Sequence, residues 1–474
     1  MSVEIRKQAV SKSIPQEKQR NYNEIIEFLD NSWNTSKNDK SLDKIKKLDQ
    51  ALGNPSQKLN TILVSGTNGK SLTINLTAKL LKSEGLKVGS FYNPHILTYN
   101  ERLAINNEII SNKSFTELAN EIINLADSLN IEANSLDILT MMAIQHFIKQ
   151  EVDVAIMESS NGSAYNPINI CKAKVATITR VAPANDSLQE EDMLGVLTEM
   201  ASIIKEGTWV VSGDQNKTHL QLIQELTKAH GGHWAMPIRK LVPLAYPYEQ
   251  LHGRCAALAE RLAQMYVEHF HNQGATIIND SLLSKQKGQR GRPSIADKKK
   301  DELNPKPSLE QFWKEECAEL PGRFQLLNRE NPSVLLDVAS NLDAISNILL
   351  GIRLLHYQRP LNGLTIILGA TKNNLNNEKF IKLIRYFFKK TSGQLLICPI
   401  EPTLPGINED ESWNAEQVAN NIKSMKVKAR ACKDFEEAFE IAKKSVNEKY
   451  GLIVVTGSRT IVNNYWKYKG IKKF

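Results

Sequence analysis

No uninterrupted apolar run in this 474-residue chain approaches the roughly 18 to 20 residues that a membrane-spanning helix needs. The first twenty residues also lack the apolar core of a secretory signal peptide. Cysteine is scarce and never occurs in C-x-x-C spacing; the five are Cys171, Cys255, Cys317, Cys398 and Cys432. These absences argue against membrane association and against a zinc site, and they lead us to expect a cytoplasmic protein.

A strong excess of one charge is also lacking. The chain has 60 Lys and Arg against 52 Asp and Glu, which leaves a formal net charge of +8. That charge suits anionic small-molecule substrates but does not by itself indicate nucleic acid. Apolar residues make up 41% and charged residues 24% of the sequence, as in ordinary globular proteins, and the length allows two or three domains.

The most informative stretch runs from Leu59 to Thr73. A run of β-forming residues ends there in a glycine turn, and a run with helical spacing follows at once. The turn reads G-x-x-G-K-S from Gly66 through Lys70 to Ser71. It is a shorter class of loop than the usual P-loop, G-x-x-x-x-G-K-[ST]. Glycines let backbone N–H groups curl inward, and the helix N-terminus and Lys70 add positive charge. The stretch predicts a phosphate-binding loop; a glycine turn with a chance lysine is the alternative.

Short apolar runs alternate with helical spacing along most of the chain. In residues 59–230 this alternation predicts a parallel sheet covered on both faces. A second, similar unit is predicted to start near Phe312, after a basic linker or insertion at about 275–310. We therefore predict an α/β protein with a large P-loop-type domain over 1–310, including N-terminal helices and the basic segment. A smaller, Rossmann-like C-terminal domain is predicted over 311–474.

Polar residues follow the predicted strands, where α/β sheets collect their ligands. Asn93 and Asn185 follow two of them, and Glu158 comes directly after the apolar run 152–157. A lone carboxylate beside a triphosphate is most easily explained as a magnesium ligand, direct or through water. A salt-bridged or capping glutamate is the alternative. With the phosphate loop, this predicts an ATP-dependent enzyme whose second domain closes over the reactants.

The basic run between residues 285 and 300 contains Arg290-Gly-Arg292-Pro293, which is similar to an arm that enters the minor groove of DNA. The motif is short, occurs once and has no aromatic residues beside it. A solvated basic loop is therefore the simpler interpretation. We do not expect a nucleic-acid partner.

Several blocks of sequence together point to one family. They are Leu52-Gly-Asn-Pro with the phosphate loop, Asn93-Pro-His95 with Tyr99-Asn-Glu-Arg102, Asp153 to Glu158, Leu320-Pro-Gly-Arg-Phe324, Leu336 to Asn341, Gly369-Ala-x-Lys372, and Val455-Thr-Gly-Ser458. In these blocks and their order, from Tyr22 to about Trp466, the chain resembles the folylpolyglutamate synthase and dihydrofolate synthase family of the Mur ligase superfamily. The basic segment has no counterpart in this resemblance.

The resemblance implies an ATP-dependent ligase that adds L-glutamate to a folate or dihydropteroate carboxylate. The carboxylate would become an acyl phosphate, and amide formation would release ADP and phosphate. Lys70 and Glu158 would be catalytic, Glu158 would bind Mg²⁺, and Arg323 and Asp337 would contact ATP. The residues implied to hold the phosphates are Gly66, Thr67, Asn68, Gly69, Lys70, Ser71, Leu72 and Thr73. The family likeness also implies a cytoplasmic monomer.

The chain departs from the family at four positions. Asn93 stands for a magnesium-binding serine and Asn185 for a magnesium-binding histidine. Met200 stands for a lysine that is usually carbamylated, and Ser340 for a histidine. An asparagine oxygen can bind Mg²⁺ but brings no charge, so we expect weaker metal binding at Asn93 and Asn185. A methionine at position 200 can neither be carbamylated nor bind Mg²⁺, so we expect the second metal site to be absent or rebuilt.

Two alternatives to this ligase stay open at the level of sequence. One is a degenerate homologue that binds nucleotide or folate without turnover, which the four departures favour. The other is a Mur-type ligase with a different carboxylate acceptor.

Overall fold

The computed structural model describes residues 18–33, 40–160, 162–235, 248–271, 309–315, 320–401 and 412–474. The predicted basic segment at about 275–310 lies almost wholly outside the described residues. None of the described helices is both long and apolar enough to cross a membrane.

The first sheet has eight strands. They are β1 (Thr61–Ser65), β2 (Val88–Phe91), β3 (Leu103–Ile105), β4 (Glu108–Ile109), β5 (Val154–Glu158), β6 (Ala173–Ile178), β7 (Trp209–Ser212) and β8 (His233–Trp234). Their order is β4-β3-β2-β5-β1-β6-β7-β8. The strands from β2 to β8 in this order are parallel, which confirms the predicted architecture, and β1 lies at the centre.

The hairpin of β3 and β4 is antiparallel and was not predicted. Its two-residue turn is Asn106-Asn107, and both residues have positive φ, 51° and 68°. Asparagine tolerates this left-handed backbone, which a tight hairpin turn requires. The Asn106-Asn107 pair was therefore the feature of the sequence that could have predicted this hairpin.

Helices cover both faces of the first sheet. They are α1 (Tyr22–Ser32), α2 (Asp43–Ala51), α3 (Pro55–Lys58), α4 (Lys70–Ser83), α5 (Asn112–Ser128), α6 (Ser135–Lys149), α7 (Met193–Met200), α8 (Lys217–Ala229), α9 (Tyr248–Phe270) and α10 (Leu309–Glu315). Leu63 of β1 packs in the core formed with α5 and α6. Its neighbours Ile62 and Val64 pack in the core formed with α4 and α9. This alternation explains why every residue of β1 is buried and why the strand reads as an apolar run.

The second sheet has six strands in the order β13-β12-β11-β14-β10-β9. They are β9 (Gln325–Leu327), β10 (Ser333–Leu336), β11 (Leu364–Leu368), β12 (Gln394–Ile397), β13 (Ala429–Ala431) and β14 (Leu452–Thr456). Its helices are α11 (Leu342–Gln358), α12 (Glu378–Phe388), α13 (Ala415–Ser424), α14 (Phe435–Ser445) and α15 (Arg459–Tyr468). Only β9 is antiparallel.

The predicted start of the second unit near Phe312 places the boundary too early. Phe312 and Trp313 of α10 are buried in the core of the first sheet, beside α4 and α9. Two large aromatic side chains bury more apolar surface there than an exposed linker would allow. The elements of the second sheet begin after α10, at β9.

Candidate active site

The glycine loop joins β1 to α4 and is tied to the segment that follows β6. Gly66 and Gly69 have positive φ, 128° and 86°, which lets the chain turn sharply into the helix. Thr67 N donates to Arg180 O at 2.7 Å, and Thr179 Oγ1 donates to Asn68 O at 2.8 Å. Lys70 folds back over the loop, where its Nζ donates to Gly66 O at 2.8 Å. The predicted strand, loop and helix are therefore present in the order that a phosphate site needs.

We expect Gly66→Ala to destroy this loop. A Cβ at residue 66 would lie 2.2 Å from Thr179 Oγ1, in addition to the strain of a positive φ. The control is Gly85→Ala, because Gly85 has a φ of 92° but no atom within 4 Å of the added Cβ. Gly85→Ala should cost about 1 kcal/mol in unfolding free energy and Gly66→Ala about 3 kcal/mol or more. Urea unfolding and ATP binding measure both effects; equal losses in the two variants would contradict the predicted clash.

Glu158 lies beside the first turn of α4. It is the last residue of β5, paired with Val64 of β1, and is 2% exposed. Ser71 Oγ donates to Glu158 Oε2 at 3.1 Å, and Lys70 Nζ lies 3.9 Å from Glu158 Oε1. Burial raises the pKa of Glu158 and lowers that of Lys70, and each charge partly offsets the effect on the other. The structure thus brings together the predicted lysine, hydroxyl and carboxylate.

The second sheet supplies Arg323 to the same place. Its Nη2 donates to Ser71 Oγ at 3.3 Å, across the gap between the two sheets. Asp337, which follows β10, accepts from Phe324 N at 2.7 Å and from Ala339 N at 2.8 Å. Burial raises the pKa of Asp337 to about 6. The Asp337 carboxylate therefore anchors the turn that carries Arg323.

A second set of polar contacts joins the phosphate loop to α11. Asn68 Nδ2 donates to Asp343 Oδ2 at 2.8 Å, and Asn341 Nδ2 donates to Asn68 Oδ1 at 2.9 Å. Arg180 bridges Asp214 and Asp343 at 3.3 and 3.1 Å. Sequence reasoning missed this network because its members are about 30 to 270 residues apart. The polar residue Asn341 within a family-like block was the only signal.

The residues around these contacts enclose a cavity of about 660 Å³ between the two sheets. Its lining includes the loop residues Thr67 to Thr73 together with Asn93, Glu158, Arg323, Asp337 and Ser340. Of the predicted loop residues, Gly66 alone lies behind the lining. Such a cleft between two α/β units is a usual place for a small-molecule site.

The end of the cavity beside α9 is aromatic, and sequence reasoning did not foresee it. His252 packs edge-on against Phe324, with ring centroids 6.2 Å apart, and lies 5.3 Å from the ring of Tyr248. Burial lowers the pKa of His252 to about 4, so its imidazole is neutral at pH 7. A neutral aromatic surface of this kind suits a planar heterocycle.

The structure does not support Asn93 as a metal ligand through its side chain. The Asn93 amide oxygen accepts a hydrogen bond from the Arg102 guanidinium, and both side chains are buried. Asn93 reaches Glu158 only through its backbone N–H, which donates to Oε2 at 3.2 Å. An oxygen held by a buried cation is a poor ligand for a second cation.

Asn185 and Met200 have surroundings of their own. Asn185 lines a second cavity of about 850 Å³, which shares Arg180 and Asp343 with the first, and its Oδ1 accepts from Ser187 N at 3.0 Å. Met200 is a buried core residue, 4% exposed. The loop after β6 thus places Asn185 in the neighbouring cavity, and its metal role stays a prediction.

Glu158 and Ser71 fit one magnesium ion. Glu158 offers a carboxylate and Ser71 a hydroxyl, the oxygen donors that Mg²⁺ prefers. Within the described part of the chain, no three His, Cys, Asp or Glu side chains are grouped as a metal site would require. Mg²⁺ commonly takes its other ligands from water and substrate phosphates, so this pair is sufficient for a nucleotide-bound ion.

Comparison with known proteins gives a consistent picture. Residues 322–459 match the model of the Mur ligase, glutamate ligase domain. The chain is 26% identical over 321 residues to the dihydrofolate synthase/folylpolyglutamate synthase of Bacillus subtilis, a match that covers 65% of this chain and 70% of that one.

Solved structures agree on the fold. The bifunctional folylpolyglutamate synthase/dihydrofolate synthase of Yersinia pestis has a TM-score of 0.74 at 21% identity, covering 96% of this chain and 100% of that one. A structure of a bifunctional folylpolyglutamate synthase/dihydrofolate synthase with Mn, AMPPNP and L-glutamate bound has a TM-score of 0.73 at 20% identity, with the same coverage.

Proposed function

Since this chain belongs to the folylpolyglutamate synthase and dihydrofolate synthase family of Mur ligases, we propose that it joins L-glutamate to the carboxylate of a folate or dihydropteroate at the expense of ATP. The observation that carries the proposal is the meeting of Lys70, Ser71 and Glu158 from the first sheet with Arg323 from the second. A cleft that combines cations, a hydroxyl and a carboxylate can position a phosphoryl group for transfer.

The chemistry needs two displacements. An oxygen of the acceptor carboxylate forms a bond to the γ-phosphorus while the bond from that phosphorus to the bridging oxygen breaks, and ADP leaves with the electron pair. The amine of glutamate then attacks the acyl carbon, phosphate leaves and the amine loses a proton. Lys70 and Arg323 neutralise charge on the transferring group. Mg²⁺, held by Glu158 and Ser71 with the nucleotide, supplies further neutralisation when bound.

Closure of the cleft protects the acyl phosphate from water. The contacts of Asn68 with Asn341 and Asp343 join the phosphate loop directly to the second half of the chain. Such contacts between the two halves would hold the cleft closed during turnover and so suppress hydrolysis of the intermediate. We further propose that the protein acts as a cytoplasmic monomer, which the family resemblance implies and size-exclusion chromatography checks.

The direct test is ADP release with Mg²⁺, ATP, L-glutamate and either tetrahydrofolate or dihydropteroate. ADP that appears only when both the acceptor and glutamate are present supports the ligase. Bound ATP without ADP from any acceptor would support the degenerate homologue, which the engaged oxygen of Asn93 favours. Release with another carboxylate acceptor alone would support the Mur-type alternative.

We expect the rate to fall as the pH falls through about 6. Asp337 must be ionised to accept both backbone hydrogen bonds, and with a pKa of about 6 only about one-tenth of it is ionised at pH 5. Protonation would loosen the turn that carries Arg323. In the pH profile of kcat, Asp337→Asn should show a lower rate without this acid limb. An unchanged limb in Asp337→Asn would assign the titration to another group, such as Glu158.

A further inference from the structure

Arg459 is the first residue of α15 and lies where the two halves of the chain meet. Ser458, just before it, caps the helix by accepting from Ile461 N at 3.2 Å. The Arg459 Nη1 donates to His95 O, in the loop after β2, at 3.2 Å. Arg459 also lines the 660 Å³ cavity together with Lys70 and Arg323. The family-like block at Val455 to Ser458 stops one residue before it.

Arg459 forms no ion pair with the described residues. Arg180, in the same cavity, pairs with two aspartates, whereas no carboxylate of the described residues lies within 4.0 Å of the Arg459 guanidinium. Burial lowers the pKa of Arg459 to about 10, and the charge of Arg323 acts in the same direction. A guanidinium has five N–H donors, and here a single backbone carbonyl accepts from it. The unused N–H donors at the cavity wall suit a planar anion with two hydrogen-bond acceptor oxygens.

The arrangement of the cavity indicates which anion this is. At one end lie His252 and Arg254 of α9 together with the ring of Phe324. Arg459 instead donates to His95 O, in the loop after β2 whose Asn93 N donates to Glu158. A nucleotide with its base at the aromatic end and its phosphates on the loop would direct its terminal phosphate toward Arg459. The anion next to the terminal phosphate would then be the acceptor carboxylate, to which the phosphoryl group is transferred.

We propose that Arg459 is a catalytic residue that binds the reacting carboxylate of the acceptor. This inference rests on the proposed ligase function and adds a residue to it. The guanidinium would hold both carboxylate oxygens and offset the repulsion between the carboxylate and the γ-phosphate. One oxygen is then placed for in-line attack on phosphorus, as the bond to ADP breaks. No proton moves in this step, so a permanently charged side chain is suited to it.

The test compares Arg459→Gln with Lys467→Gln. Lys467 is an exposed residue of the same helix, so both variants lose one positive charge from α15. For Arg459→Gln we expect kcat/KM for tetrahydrofolate or dihydropteroate to fall by about a hundredfold or more, whereas the Kd for ATP should change less than about twofold. Lys467→Gln should match the wild type in both measurements. Guanidinium ions at millimolar concentration should restore part of the rate of Arg459→Ala.

Several results would overturn the assignment. Arg459→Gln with unchanged acceptor kinetics would remove Arg459 from the site, and an equal loss of ATP affinity would make it a nucleotide residue. If Arg459→Gln does not fold, Arg459→Lys keeps the charge and should lose bidentate binding, with a raised KM for the acceptor. If the wild type shows no turnover, the ligase proposal fails by itself. Acceptor binding measured by calorimetry with a non-hydrolysable ATP analogue, in wild type and Arg459→Gln, then still decides the role of Arg459.

Discussion

Replacement of Lys70 by alanine is expected to lower kcat/KM for ATP by about a thousandfold. Lys70 is buried against the loop, with its Nζ 2.8 Å from Gly66 O and 3.9 Å from Glu158 Oε1. Its Nζ donates to the carbonyls of Gly66 and Thr67, at the loop where phosphate oxygens would bind. Alanine removes the one charge that α4 places at the loop. A coupled assay of ADP release measures the change.

The control for this variant is Lys82→Ala, on the same helix. Lys82 is exposed, and its Nζ lies 3.4 Å from Asn106 O. Its removal changes the net charge equally but should leave the rate within about twofold, since an exposed charge this far along the helix is well screened. A Lys70→Ala enzyme that keeps more than a tenth of the wild-type rate would show that the loop does not depend on its lysine.

Glu158→Gln is expected to abolish most of the magnesium-dependent rate, by about a hundredfold or more. Glutamine keeps the size of the side chain and can still accept from Ser71 or from Asn93 N, so the fold should persist. Glutamine lacks the charge with which Glu158 is proposed to bind Mg²⁺. The concentration of Mg²⁺ that gives half-maximal rate should rise about tenfold or more, which a magnesium titration at saturating ATP measures.

Asp153→Asn is the matched control for Glu158→Gln. Asp153 directly precedes β5, so it lies at the opposite end of the strand that Glu158 ends, and it accepts from Lys87 N at 2.7 Å. Its loss should leave the magnesium dependence unchanged. An unaltered half-saturating Mg²⁺ concentration in Glu158→Gln would mean that the metal ion is held entirely by the nucleotide and water.

The neighbours of Asn93 explain why its side-chain oxygen is already engaged. The Arg102 guanidinium is 1% exposed, holds the Asn93 oxygen and donates through Nε to His95 Nδ1 at 2.9 Å. Burial lowers the pKa of Arg102 to about 9, so it is still charged at pH 7. A fixed cation thus holds the oxygen that Asn93 was predicted to offer to a metal ion.

The sequence by itself determined the glycine loop, the alternation of buried strands and helices, and the candidates Lys70 and Glu158, whereas Arg323 was named only through the family resemblance. These follow from local rules: a glycine turn between a strand and a helix, and apolar runs in strands buried on both faces. The carboxyl ends of neighbouring parallel strands meet at one edge, so residues such as Glu158 could be placed before any coordinates were known.

Only the tertiary structure decided which of the remaining polar residues share the cleft. It turned Asn185 into a neighbouring cavity, engaged Asn93 with Arg102 and brought Arg459 to His95, 364 residues away in the chain. It also assigned Phe312 to the first core. The physical reason is that such contacts depend on how two separately formed sheets pack together, and neither periodicity nor turn chemistry encodes that packing.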